Sequence, residues 1–74
     1  MASANKPPLR TTVNLTNRTV EALESVTRLT DYSRTDVINR SVQIYAYLEG
    51  IWRDGGDVWV QEPGEEHPSK LKVL

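Results

Sequence analysis

Residues 10–16 read Arg10-Thr11-Thr12-Val13-Asn14-Leu15-Thr16. Polar and apolar side chains alternate here, and β-branched residues dominate, the composition of a half-buried strand. Successive strand side chains point to opposite sides. Thr11, Val13 and Leu15 therefore share one face, and Arg10, Thr12 and Asn14 share the other. What the rest of the chain offers each face decides how the strand is used.

Upstream, Met1 to Leu9 is a polar arm in which Pro7-Pro8 favours extended backbone. Downstream, Thr16 suits a helix N-cap. From Thr19 to Leu29, Val20, Leu23 and Val26 recur at helical spacing among Glu21, Glu24, Ser25 and Arg28, which predicts an amphipathic helix of about three turns. It is expected to stop near Thr30-Asp31, where Asp31 can take the left-handed conformation of a helix C-terminus, less comfortably than glycine. Tyr32 then reads as an apolar plug. Ser33 restarts the helix, with Asp36 in place of the usual Glu or Gln of a capping box.

The second helix is predicted over Arg34–Glu49, with Gly50 as its stop. Val37, Ser41, Ile44 and Leu48 form one row along it, and Ile38, Val42 and Tyr45 form the neighbouring row. One strand and one helix cannot cover so wide an apolar surface, and the C-terminal segment is short and polar. A second copy is the expected cover. The expected dimer core is Val13, Leu15, Val20, Leu23, Val37, Ile38, Ser41, Val42, Tyr45 and Leu48.

Size points the same way. A chain of 74 residues buries only roughly 60% of its unfolded surface, and small folds recruit disulfides, a metal or another subunit. There is no cysteine and one histidine, His67, so disulfides and thiolate metal sites are excluded, and no metal or other cofactor is expected. The sequence has no apolar run suited to a signal peptide or a membrane span, and a cytoplasmic location is expected.

The net charge of −1 hides an asymmetry. Residues 1–48 carry six basic and four acidic side chains; residues 49–74 carry three basic and six acidic. Beyond Gly50, Arg53-Asp54-Gly55-Gly56-Asp57 reads as a turn, Val58-Trp59-Val60 as a strand, Glu62-Pro63-Gly64-Glu65-Glu66 as a second turn, and Leu71-Lys72-Val73-Leu74 as a partner strand. A small C-terminal hairpin is one reading; a tail that orders on a protein partner is the other.

Catalysis is not expected. No serine sits in a glycine elbow beside a base, and the acidic residues do not fit the register of a calcium loop. Binding fits better. Two copies of strand 10–16 paired antiparallel make a ribbon of the width of the DNA major groove. Arg10, Thr12 and Asn14 from each copy would face the bases, where Arg pairs with guanine, Asn with adenine, and Thr with a hydrogen-bonding edge or a thymine methyl. Free N–H groups at Ser33, Arg34 and Thr35, with their side chains, form an anion site for the DNA backbone. Lys6 is a further candidate phosphate contact.

This order of strand, helix, tight turn and helix resembles the ribbon-helix-helix (Arc/MetJ/CopG-type) family of DNA-binding repressors. The resemblance covers roughly Leu9 to Leu48 and rests on Arg10–Thr16, on Val20 and Leu23, on Asp31-Tyr32-Ser33-Arg34-Thr35, and on Ile38, Ser41 and Val42. It implies a mainly α, intertwined homodimer with its ribbon in the major groove and the start of its second helix on the backbone. By position, Arg10, Thr12 and Asn14 match the family's base-reading residues, and Ser33, Arg34 and Thr35 its phosphate-contacting turn. Asp31 departs from the glycine common there. The organisation expected is an arm over 1–8, a DNA-binding and dimerisation unit over 9–50, and an extension over 51–74. The leading expectation is a homodimeric repressor on double-stranded DNA, with several dimers on one operator as an option. An antitoxin whose acidic C-terminal segment holds a toxin, or a plasmid partition or conjugation factor, would use the same dimer.

Overall fold

Thr16 starts the first helix as its side chain requires. Its hydroxyl accepts the Thr19 N–H at 3.1 Å, and α1 runs over Asn17–Thr30, two residues earlier than the apolar periodicity predicts. Asn17 and Arg18 occupy a first turn whose N–H groups need no helical partner. The structure is a computed structural model and describes residues 7–72; Lys6, Val73 and Leu74 lie outside them.

The corner after α1 forms as expected. Asp31 adopts φ 61° and ψ 12°, and its N–H donates to the Thr27 carbonyl at 2.9 Å, the single-bond left-handed helix ending. Ser33 then caps α2 (Arg34–Arg53), accepting the Asp36 N–H at 3.1 Å. Only this half of the capping box forms among the described residues, since Asp is one methylene shorter than Glu. Tyr32 is not a plug: it is half-exposed, with the Arg40 guanidinium 4.2 Å above its ring.

The expected stop at Gly50 is wrong. Helix α2 continues through Gly50 to Arg53, carrying Ile51 and Trp52 into half-buried positions and crossing the 50/51 boundary drawn from the sequence. It ends instead on the next glycine pair. Gly55, at φ 84°, donates to the Trp52 carbonyl at 3.0 Å, and Gly56 donates to the Ile51 carbonyl at 2.8 Å. These are the two bonds of a Schellman ending.

A two-stranded antiparallel sheet follows, β1 (Trp59–Val60) and β2 (Ser69–Lys70), with Trp59 opposite Lys70 and Val60 opposite Ser69. The partner strand among the described residues is therefore Ser69–Lys70, ahead of the Leu71 start expected from the sequence. Leu71 contributes one further bond, donating to the Val58 carbonyl at 2.8 Å. Pro63-Gly64, with Gly64 at φ 89° and the Glu65 N–H on the Glu62 carbonyl at 3.1 Å, closes the loop as a type II turn.

The fold is thus mainly helical with one small sheet, and its core is incomplete. Leu23 and Val37 are the buried hydrophobic residues among those described. One chain exposes 7153 Å², against roughly 4,600 Å² for a folded monomer of its mass. Its radius of gyration is 15.5 Å, against about 11 Å for a compact chain of this length. Residues 7–16 form no strand within the chain. The strand expected over Arg10–Thr16 is not formed, and a single chain offers those backbone groups no neighbouring ladder.

Candidate nucleic-acid interface

The N-terminal segment separates its side chains as the alternation predicts. Leu15 joins Leu23, Val26, Val37, Ile38 and Val42 around an apolar hollow of about 240 Å³ between α1 and α2. Thr11 and Val13 line a second hollow, of about 700 Å³, against Ile38, Asn39, Val42 and Gln43 of α2. Arg10, Thr12 and Asn14 line neither hollow and are exposed. One set faces the helices and the other faces solvent.

Thr35 borders the second hollow too, so the start of α2 adjoins the N-terminal segment. There the Ser33 hydroxyl is engaged as the cap. The N–H groups of Ser33, Arg34 and Thr35 make no hydrogen bond among the described residues. A helix N-terminus with free N–H groups and a positive dipole end attracts anions. Arg34 is not free beside it. Its Nη2 lies 3.7 Å from Oε2 of Glu24 on α1.

Three contributors escaped the sequence reading. Glu24 looked like one more polar residue on the outside of α1. Thr30 ties the corner down, its hydroxyl donating to the Val26 carbonyl at 2.8 Å and accepting the Tyr32 N–H at 3.2 Å. Arg40 covers Tyr32. Of these, only Thr30 had a local signal, since a threonine near a helix end often bonds back to the backbone.

Of the remaining expected dimer-core residues, Val20, Ser41, Val42 and Tyr45 stay exposed in one chain, and Leu48 is half-buried. The Ser41 hydroxyl donates to the Val37 carbonyl at 2.7 Å, which removes its polar cost from an apolar face. Tyr45 donates to Glu49 Oε2 at 2.5 Å. That bond favours the neutral phenol and lifts the Tyr45 pKa above its usual value.

A second group of acidic side chains belongs to the C-terminal segment. Residues 54–66 contain Asp54, Asp57, Glu62, Glu65 and Glu66 and no Lys or Arg. They follow the far end of α2, about 30 Å along the helix from its N-terminus. Trp59 in this hairpin is 56% exposed, and Lys70 lies 5.6 Å from its ring centroid and 3.6 Å from Asp57. Among the described residues, no cluster of His, Asp and Glu could hold a metal ion, and no helix is long and apolar enough to cross a membrane.

Comparison with models of known families, with curated proteins and with solved structures finds no match to this chain.

Proposed function

We propose that this chain is a ribbon-helix-helix protein, a homodimeric, sequence-specific DNA-binding regulator that acts as a repressor. The observation that carries the reading is the sorting of residues 10–15. Thr11, Val13 and Leu15 line hollows against the helices, while Arg10, Thr12 and Asn14 face out beside a helix N-terminus with free N–H groups. A second copy seated in the hollows covers the apolar faces of α1 and α2 and pairs the two N-terminal segments antiparallel. Six outward side chains then form one reading surface for the major groove. The two Ser33–Thr35 corners grip the flanking phosphates and fix the register. No step of this function calls for catalysis or a cofactor.

Selection of bound duplexes from a random pool tests the proposal. It should enrich a two-fold symmetric motif containing guanine and adenine at defined positions, and Arg34→Ala should weaken binding to all sequences while reducing its salt dependence. Failure to enrich any motif refutes sequence-specific recognition.

A second reading, an antitoxin that holds a basic partner through its C-terminal segment, draws on exposed Trp59 and the acidic run at 54–66. The paired hairpin disfavours the version in which that segment is an unstructured wrap. Co-purification of a stoichiometric second protein would distinguish it from a simple repressor.

A further inference from the structure

We infer that Glu24 is an internal competitor of DNA at the start of α2, a device that holds down the affinity of each dimer. The inference rests on the DNA-binding reading above and concerns the regulation of that same site.

The charges around the anchor are the starting point. Arg34 contributes the one cationic side chain of the Ser33–Thr35 corner. Glu24 reaches it from the neighbouring helix at 3.7 Å, and Asp36 adds a second carboxylate in the first turn of α2. These three side chains sum to −1 before any phosphate arrives, and Asp31 and Arg40 beside them add one charge of each sign. The helix dipole offsets only about half a charge of that. An anion can still dock on the free N–H groups, but the guanidinium beside them is already engaged by a carboxylate.

The ion pair is open to solvent, with side-chain exposures of 72% for Arg34 and 46% for Glu24. It is weak enough to exchange. A phosphate at the corner and the Glu24 carboxylate are alternatives for one guanidinium, so each binding event must displace or share the existing partner. This competition occurs twice in a dimer.

Neutralising this carboxylate while keeping its shape gives the test. In Glu24→Gln, Arg34 is released. Exposed pairs of this kind set a scale of about 1.4-fold to fivefold per anchor, hence about twofold to twenty-five-fold tighter binding per dimer. Freeing each guanidinium from its shared carboxylate should steepen the salt dependence, by at most about two in the log–log slope. Glu21→Gln is the control. Glu21 lies on the same helix, forms no ion pair among the described residues, and its substitution changes net charge by the same amount.

Affinities for the pool-enriched duplex and for a random-sequence duplex are measured across a salt series, using wild type, Glu24→Gln, Glu21→Gln, Arg34→Ala and the Glu24→Gln/Arg34→Ala double variant. Thermal unfolding confirms that each is folded. The expected result is tighter binding by Glu24→Gln to both duplexes, beyond that of Glu21→Gln, with the excess lost in the Arg34→Ala background. Equal gains from the two Gln variants, or an excess that persists without Arg34, overturn the competition. Weaker binding by Glu24→Gln overturns it too, by making Glu24 a support that positions Arg34. If wild type binds neither duplex, the DNA-binding reading itself has failed and the competition falls with it.

Discussion

Val42 and Tyr47 are both largely exposed in a single chain, at 64% and 71%, yet the proposed dimer would treat them oppositely. Val42 lines both hollows against the N-terminal segment and α1, whereas Tyr47 lines neither. Five residues along a helix turn Tyr47 by about 140° from Val42, onto the side that carries Asp36 and Arg40. In an isolated monomer, Val42→Ala and Tyr47→Ala should each change stability by no more than about 0.5 kcal/mol, as exposed positions do. In the proposed dimer, Val42→Ala would delete two buried methyl-sized groups at about 0.8 kcal/mol each and leave a cavity. That is roughly 2 kcal/mol per site and roughly 4 kcal/mol over the symmetric pair, so the dimer dissociation constant should rise about a thousandfold. Sedimentation equilibrium and urea unfolding over a wide protein concentration range measure both quantities. Tyr47→Ala should leave the dissociation constant near that of the parent. Equal effects of the two substitutions, or an unfolding midpoint independent of protein concentration, would refute the reasoning.

The corner and the hairpin make their own predictions. Alanine lacks the tolerance of Asp for the left-handed backbone at residue 31, so Asp31→Ala should cost about 1 kcal/mol while Asp31→Gly costs less, read from chemical unfolding. At Gly56, an added Cβ would meet Ile51 Cγ2 at 2.8 Å and the Ile51 carbonyl oxygen at 3.1 Å. Gly56→Ala should therefore cost about 1–3 kcal/mol locally and speed hydrogen exchange of the Leu71 amide, which is bonded to Val58, with little change in the dimer.

The sequence is most informative where a structural choice is local. Thr16, Asp31 and Ser33 act as cap, corner and cap because a short side chain and one backbone angle decide each role. The alternation at 10–15 likewise divides as read. Gly50 misled because glycine permits a stop without imposing one; the half-buried Ile51 and Trp52 continue α2, and the paired Gly55-Gly56 ends it. The hairpin register was set by Trp59 opposite Lys70, a pairing that β propensity alone does not specify. Glu24 was illegible for a different reason. Its partner lies ten residues away across the corner, and only the packing angle of the two helices brings carboxylate and guanidinium together.

The central claim is that outward residues of the paired N-terminal segments read DNA bases. The direct measurement is the affinity ratio between the enriched duplex and a scrambled duplex of equal length and composition, for wild type and Asn14→Ala. Loss of one bidentate base contact is worth about 1–3 kcal/mol per copy, so the ratio should fall at least tenfold while affinity for the scrambled duplex stays nearly constant. An unchanged ratio in Asn14→Ala would contradict base reading by this residue.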